Sequence, residues 1–271
     1  MLLRKSLSAF GCLLLPVAAF ADVSTIQQSN NQISLYALST HVDYTEYSVG
    51  VLGTPTGILD TETGNVPGYG VSASMMKDLW LGNDYLALAY EHANGHTQYV
   101  GSYIGGGAYG SVVDTSGATL DDYNIRLGKG FAVKSTTMLV PYIEIGHNKW
   151  YRGVNDGETY SHHYFGGGVL AQYSPSKKLV LSANLLAGYT FGSYIDITGA
   201  FAGSLGNSPL YKAGAAIDYA FTPQWHGKLD IDYTRFEYGM SALYPYNSGY
   251  AWEPDSKTRN TTVRLGLGYA F

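Results

Sequence analysis

The sequence predicts an all-β protein: a transmembrane, antiparallel, up-and-down β-barrel of ten strands. Three observations carry that prediction. Long segments place large apolar residues at every second position, with polar or small residues between them. The connections joining these segments alternate short and long. The aromatic residues gather at the segment ends. Successive side chains of a strand point to opposite faces, so such alternation describes a wall with lipid on one side and a polar or small-residue interior on the other.

Taken in order, the chain opens with a removable export segment over residues 1–21. Arg4 and Lys5 supply the positive start, Leu13, Leu14, Leu15, Val17 and Ala18 the short apolar stretch, and Ala19-Phe20-Ala21 the small-x-small cleavage site. This run is too short for a membrane-spanning helix, which needs roughly twenty apolar residues. The single cysteine, Cys12, precedes most of it, so the domain over 22–271 has no disulfide framework and no thiolate metal site.

The clearest strand is the last. Val263, Leu265, Leu267, Tyr269 and Phe271 share one face, and Thr262, Arg264, Gly266, Gly268 and Ala270 the other. Upstream, Trp225, Leu229, Ile231 and Tyr233 alternate with His226, Lys228, Asp230 and Asp232. Tyr211, Ile217 and Tyr219 alternate with Lys212 and Asp218, and Leu181, Leu185 and Tyr189 with Ser182, Asn184 and Gly188. Leu139, Ile143 and Ile145 oppose Tyr142, Glu144 and Gly146, and Tyr123, Ile125 and Leu127 oppose Asn124, Arg126 and Gly128. Segments near 31–47, 67–79, 84–94 and 160–173 complete the ten with weaker alternation. In the last of these, Gly166-Gly167-Gly168 suggests a bend or bulge.

Short turns are expected at Gly82-Asn83-Asp84, Lys134-Ser135-Thr136, Ser174-Pro175-Ser176-Lys177 and Thr222-Pro223-Gln224. Long polar loops are expected near 48–66, 95–120, 151–159, 194–208 and 239–259. Such asymmetry, with an even number of strands, puts both chain ends on the short-turn side. Two aromatic belts are predicted at the headgroup levels. Trp80, Phe131, Tyr173, Tyr219, Phe221, Trp225, Tyr269 and Phe271 mark the short-turn side, and Trp150, Tyr151 and Tyr194 the loop side.

The closing run Thr262-Val263-Arg264-Leu265-Gly266-Leu267-Gly268-Tyr269-Ala270-Phe271 resembles the last strands of small Gram-negative outer-membrane barrels, namely opacity- and adhesin-like proteins and porin-like proteins. The resemblance implies an outer-membrane location and contact with outer-membrane lipid and lipopolysaccharide. It also implies that Tyr269 and Phe271 are read by the outer-membrane insertion machinery. It implies little about activity.

The inward faces carry Arg126, Glu144, Lys212, Asp218, Lys228, Asp230, Asp232 and Arg264. Arg126 with Glu144, Asp218 with Lys228, and Asp230 with Arg264 come to similar heights on neighbouring strands. In so narrow a barrel opposite charges are expected to pair and fill the lumen. The same residues lining an open passage would instead make a small diffusion channel. Asp230 and Asp232 share a face, but they sit among cations and are read as structural rather than as an acid/base pair.

Two enzymatic readings are weaker. Tyr90-Glu91-His92-Ala93-Asn94-Gly95 resembles in outline the His-x-Ser-Asn segment of outer-membrane lipid hydrolases, but the serine nucleophile is missing. Ten-stranded outer-membrane proteases use carboxylates and an Asp–His pair, and Asp114, Asp121, Asp122, His147, His162 and His163 offer the residue types without a motif. His162 and His163 alternate faces and cannot chelate one metal together. No catalytic residue, metal site or cofactor is therefore assigned. A formal net charge of −5 without a basic block argues against nucleic acid. The Tyr-, Gly-, Ser- and Asn-rich loops suit adaptable contact with an extracellular ligand. The expected function is a non-enzymatic surface barrel presenting loops or supporting envelope integrity.

Overall fold

Ten long strands close into one antiparallel sheet in the computed structural model, which describes residues 22–54, 56–102 and 107–271. The predicted export segment lies outside the described residues. The strands are β1 (Gln32–Ser48), β2 (Gly57–Lys77), β3 (Asp84–Gly101), β4 (Val112–Lys129), β5 (Thr137–Arg152), β6 (Glu158–Ser176), β7 (Leu179–Ile197), β8 (Pro209–Ala220), β9 (Trp225–Tyr238) and β10 (Asp255–Ala270). Each pairs with its sequence neighbours. The ring closes where β1 meets β10, from Gln32 opposite Ala270 to Tyr47 opposite Asp255. Closure removes the sheet edges that would otherwise expose unpaired backbone groups to lipid.

The predicted faces hold. Along β10, Leu265 is 67% exposed and Thr262 only 8%. The outward set includes Ile33 and Leu35 on β1, Leu88 on β3, Ile125 and Leu127 on β4, Ile143 and Ile145 on β5, and Leu185 on β7. These residues form an apolar band close to the short-turn ends. Trp80, Phe131, Tyr173, Tyr219, Phe221, Trp225, Tyr269 and Phe271 are all outward and exposed there, as expected.

The belt on the loop side differs from the prediction. Its rings are Tyr69, Tyr123, Phe165, Tyr189, Tyr211 and Tyr233, all exposed at the upper margin of the apolar band. Above them the outward face turns polar, with His41 bonded to Asn65 and Arg259 paired with Asp43. Tyr151 and Tyr194 lie outward but above this level. Trp150 is 4% exposed and points inward, where it packs against Tyr44 and Tyr160.

The same offset corrects the loops. A bilayer needs about 9–11 tilted residues per strand, whereas β2 has 21 and β6 and β7 have 19 each. The surplus continues the wall outward, so much of the predicted loops is strand. What remains between strands is short: residues 49–56, 102–111 and 153–157. The longer connection 198–208 carries a strand at Phe201–Ser204, and 239–254 carries a hairpin of Tyr244–Tyr246 with Gly249–Ala251.

Gly166-Gly167-Gly168 is regularly paired rather than bulged. A Cβ on Gly168 would meet the Tyr142 ring at 2.5 Å, so this glycine seats an inward tyrosine. Gly146 seats Tyr164 and Gly70 seats Tyr36 in the same way. The bulge in this part of the wall is on β7, where Gly192, with a φ of +61°, and Ser193 oppose the single His162.

A short helix not foreseen from the sequence, α1 (Val23–Ser29), lies beneath the lumen at the short-turn end. Asp22 caps it by accepting from the Ser24 backbone N–H at 2.8 Å. Ile26 is fully buried. Gln27 donates to Asn83 at 2.6 Å, Gln28 to the Pro223 carbonyl at 2.5 Å, and Asn30 to Gln172 at 2.7 Å, tying the helix to three sides of the wall.

Candidate functional site

The lumen is the candidate site, and it is organised in layers. At the bottom, Asp218 accepts from Gln32 at 2.7 Å and from His226 at 2.5 Å. Asp218 and Lys228 are directly opposite in register, yet the Asp218 carboxylate is taken by His226 and Gln32. Lys228 and Asp230 line a cavity of about 200 Å³ just above α1, together with Tyr36, Gln172 and Asn184.

Two ion networks cross the middle. Glu144, fully buried, receives Arg126 on one oxygen and Lys212 on the other, the latter at 3.1 Å. Tyr164 donates to the same carboxylate at 2.7 Å, and Lys212 lies 4.2 Å from the Tyr164 ring centre. The expected Arg126–Glu144 height match is a direct contact here, because the two are register partners. In the second network Arg264 forks onto Glu91, at 2.5 and 3.0 Å, and also reaches Asp232. Tyr36 donates to Glu91 at 3.0 Å. The expected Asp230–Arg264 pair is replaced by these contacts: register sets the two side by side, but the long guanidinium reaches Asp232 and crosses the lumen to Glu91. Glu91 is not among the inward charges that the sequence singles out. Its inward parity, two residues before Ala93, was the available signal.

Between the networks and the outer end, a second cavity of about 90 Å³ is lined by Asp122, Asn148, His162 and Thr234 among others. A cavity needs roughly 10–15 Å³ of such volume to hold a water, so both spaces have room for water inside a filled barrel. The outer end is then sealed by an aromatic layer. Tyr160 stacks on Trp150 and on Tyr238 with ring centres 5.7 and 5.4 Å apart, and Tyr44 packs edge-on against Trp150 at 5.0 Å. His162 hydrogen-bonds the Tyr238 hydroxyl at 2.7 Å.

Arg152 lies in this layer with no exposure at all. It pairs with Glu62 at 2.6 Å, Glu46 at 3.0 Å, Glu158 at 3.1 Å and Asp60 at 3.4 Å. The sequence reading missed this cluster altogether. Asp60 and Glu62 alternate with Thr61 and Thr63, a period of two that marks a strand, but both faces are polar and the segment reads as loop.

The residue types considered for hydrolysis do not converge. His162 and Asp122 face the lumen, while Asp121, His147 and His163 face outward. One Asp–His contact forms on the outer wall, His92 Nδ1 to Asp121 at 2.9 Å, with Tyr90 donating to the same oxygen at 3.2 Å. Among the described residues no serine or threonine hydroxyl is hydrogen-bonded to this pair. Among the described residues no group of three or more His, Cys, Asp or Glu side chains has the geometry to hold a metal ion.

No protein-family model and no curated protein matches the chain. Among solved structures, the outer membrane protease OmpT from Escherichia coli matches with a TM-score of 0.53 at 10% identity, covering 90% of this chain and 98% of that one. Neisserial surface protein A aligns over 88% of this chain and 97% of that one at 11% identity and a TM-score of 0.34. Ail, the attachment invasion locus protein of Yersinia pestis, aligns over 89% and 99% at 10% identity and 0.33. At 10% identity the likeness to the OmpT structure is one of fold and does not extend to activity. With its closed ten-stranded wall, apolar outer band and two aromatic belts, the chain is a small outer-membrane β-barrel.

Proposed function

We propose that the protein is a non-enzymatic barrel whose sealed lumen supports a tall extracellular wall, used for surface interaction or envelope integrity. The observation that carries this reading is the double closure of the lumen: α1 below, and the Arg152 aromatic layer above, with two salt-bridged networks between. A conducting barrel needs a continuous polar path, and small barrels are normally filled by their own side chains. The outer rim supplies contact chemistry, with Val49, Leu52, Tyr109, Val113 and Tyr250 exposed beside Ser, Asn and Gly residues. In this reading the lipid partners are outer-membrane lipid and lipopolysaccharide at the two belts. An extracellular ligand would meet the rim.

Conductance of purified protein in planar bilayers tests the proposal. The expected record shows no discrete open steps. Regular steps abolished by neutralising Arg126 or Lys212 would instead establish a diffusion channel. Lipid or peptide cleavage that disappears on His92→Ala would overturn the non-enzymatic assignment.

A further inference from the structure

Five carboxyl groups and one guanidinium share the sealed outer end of the lumen. Glu46, Asp60, Glu62, Glu158 and Glu253 surround Arg152, and none of the six is more than 7% exposed. Fully ionised, five negative charges against one positive would leave four uncompensated in a space closed to water. An isolated buried carboxylate is too costly to persist and takes up a proton instead.

The contacts show where protons are needed. Asp60 and Glu46 share Arg152 as their cation, and the second Asp60 oxygen, Oδ1, is buried with no hydrogen-bond partner. A buried carboxylate oxygen with no donor to accept from disfavours the ionised form. Among the described residues Glu253 has no cation in contact; its partners are the phenol hydroxyls of Tyr160 and, at 3.4 Å, Tyr44. A metal ion does not fit the arrangement, because Arg152 already occupies its centre.

We propose that this cluster is a proton-held latch: the extracellular mouth is locked while Asp60, Glu158 and Glu253 retain protons and loosens when they lose them. The inference does not depend on whether the lumen conducts. Burial pushes the Glu158 carboxyl up to about 7. Burial, with the Glu46 charge beside them, pushes Asp60 and Glu253 well above the usual carboxylate range. Each group therefore binds its proton more tightly folded than unfolded. The resulting stability is complete below the ordinary carboxylate pKa and is lost as pH rises through the folded value. For Glu158 that window runs from 4.5 to about 7, and Asp60 and Glu253 are shifted in the same direction.

The remaining titratable groups packed on the cluster are Tyr44, Tyr99, Tyr160 and Tyr238, with His162 bonded behind Tyr238. Burial raises the four phenols, so they stay protonated across this range. β4, β7 and β10 present Ser116, Ile195, Ile197, Ser256 and Thr258, none of which titrates.

The test is the temperature of the heat-induced mobility shift of the folded, detergent-solubilised protein between pH 5.5 and 8.5. We expect the wild type to lose roughly 5 °C or more across that range. Glu158→Gln and Glu253→Gln, neutral at every pH, should flatten the slope and raise the temperature at pH 8.5. Glu237→Gln, on the outer face, should leave the profile unchanged. A flat wild-type profile overturns the latch, and so does a slope that survives both lumen substitutions. Equal flattening by Glu237→Gln does the same, because it assigns the effect to general surface charge. Should the lumen variants fail to fold, Trp150 fluorescence decides, with Trp80, Trp225 and Trp252 replaced by Phe. A red shift at pH 8.5 that reverses on acidification supports the latch, and constant emission refutes it.

Discussion

A single arginine illustrates how position, more than residue type, sets the value of a charge. Arg152 has four carboxyl partners and no solvent, whereas Arg235 shares one exposed contact with Glu237 at 3.2 Å. Removing one member of a buried ion cluster strands the others and costs about 3–5 kcal/mol. Losing an exposed pair costs about 1 kcal/mol or less. Arg152→Ala is thus expected to lower the apparent melting temperature by roughly 6–20 °C, at about 2–4 °C per kcal/mol for a chain of this size, and Arg235→Ala to lower it hardly at all. Equal effects would contradict the burial argument. The sequence disclosed that inward charges exist, because Arg126, Glu144, Lys212 and Arg264 alternate with large apolar neighbours. It concealed Glu46, Asp60, Glu62 and Arg152, which lie where the outer face is polar too and alternation loses its contrast.

Among the elements, β10 carries the firmest sequence signal and an untested role. Its register places Tyr269 opposite Trp225 and Ile33, with the chain's last side chain, Phe271, exposed at the short-turn belt. We propose that Tyr269 and Phe271 are read by the insertion machinery. Deleting Phe271 should then reduce the amount of protein in outer-membrane fractions while periplasmic export continues, and undiminished levels would refute the role. The helix α1 was invisible for the opposite reason. Seven residues, most of them polar, are too few to show a periodicity, and the helix is held by contacts to Asn83, Gln172 and Pro223 that are remote in the chain. The inward tyrosines resting on Gly70, Gly146 and Gly168 give the abundance of Gly and Tyr a packing reason at those places.

At the scale of the molecule, the wall is taller than the membrane, and its tryptophans sample different heights. Trp225 stands in the lower belt with its ring outward, while Trp150 is enclosed well above the upper belt. In single-tryptophan variants reconstituted with brominated lipids, Trp225 fluorescence should be strongly quenched and Trp150 fluorescence hardly affected. Quenching of both to the same extent would place the bilayer higher on the wall than the aromatic belts indicate.

The sequence by itself determined the ten-stranded barrel, the direction each clear strand faces, the short-turn belt and the side on which the chain ends meet. All follow from a period of two read against lipid, which is a local property of each segment. Only the tertiary structure decided where the wall stops and the turns begin, which lumen charges touch, and that helix and aromatic layer close the two ends. Those outcomes depend on strand stagger and on side chains reaching across the barrel, as Arg264 does to Glu91 over 173 residues of chain. No local pattern encodes such a reach, because the partner's height is set by the register of every strand between them.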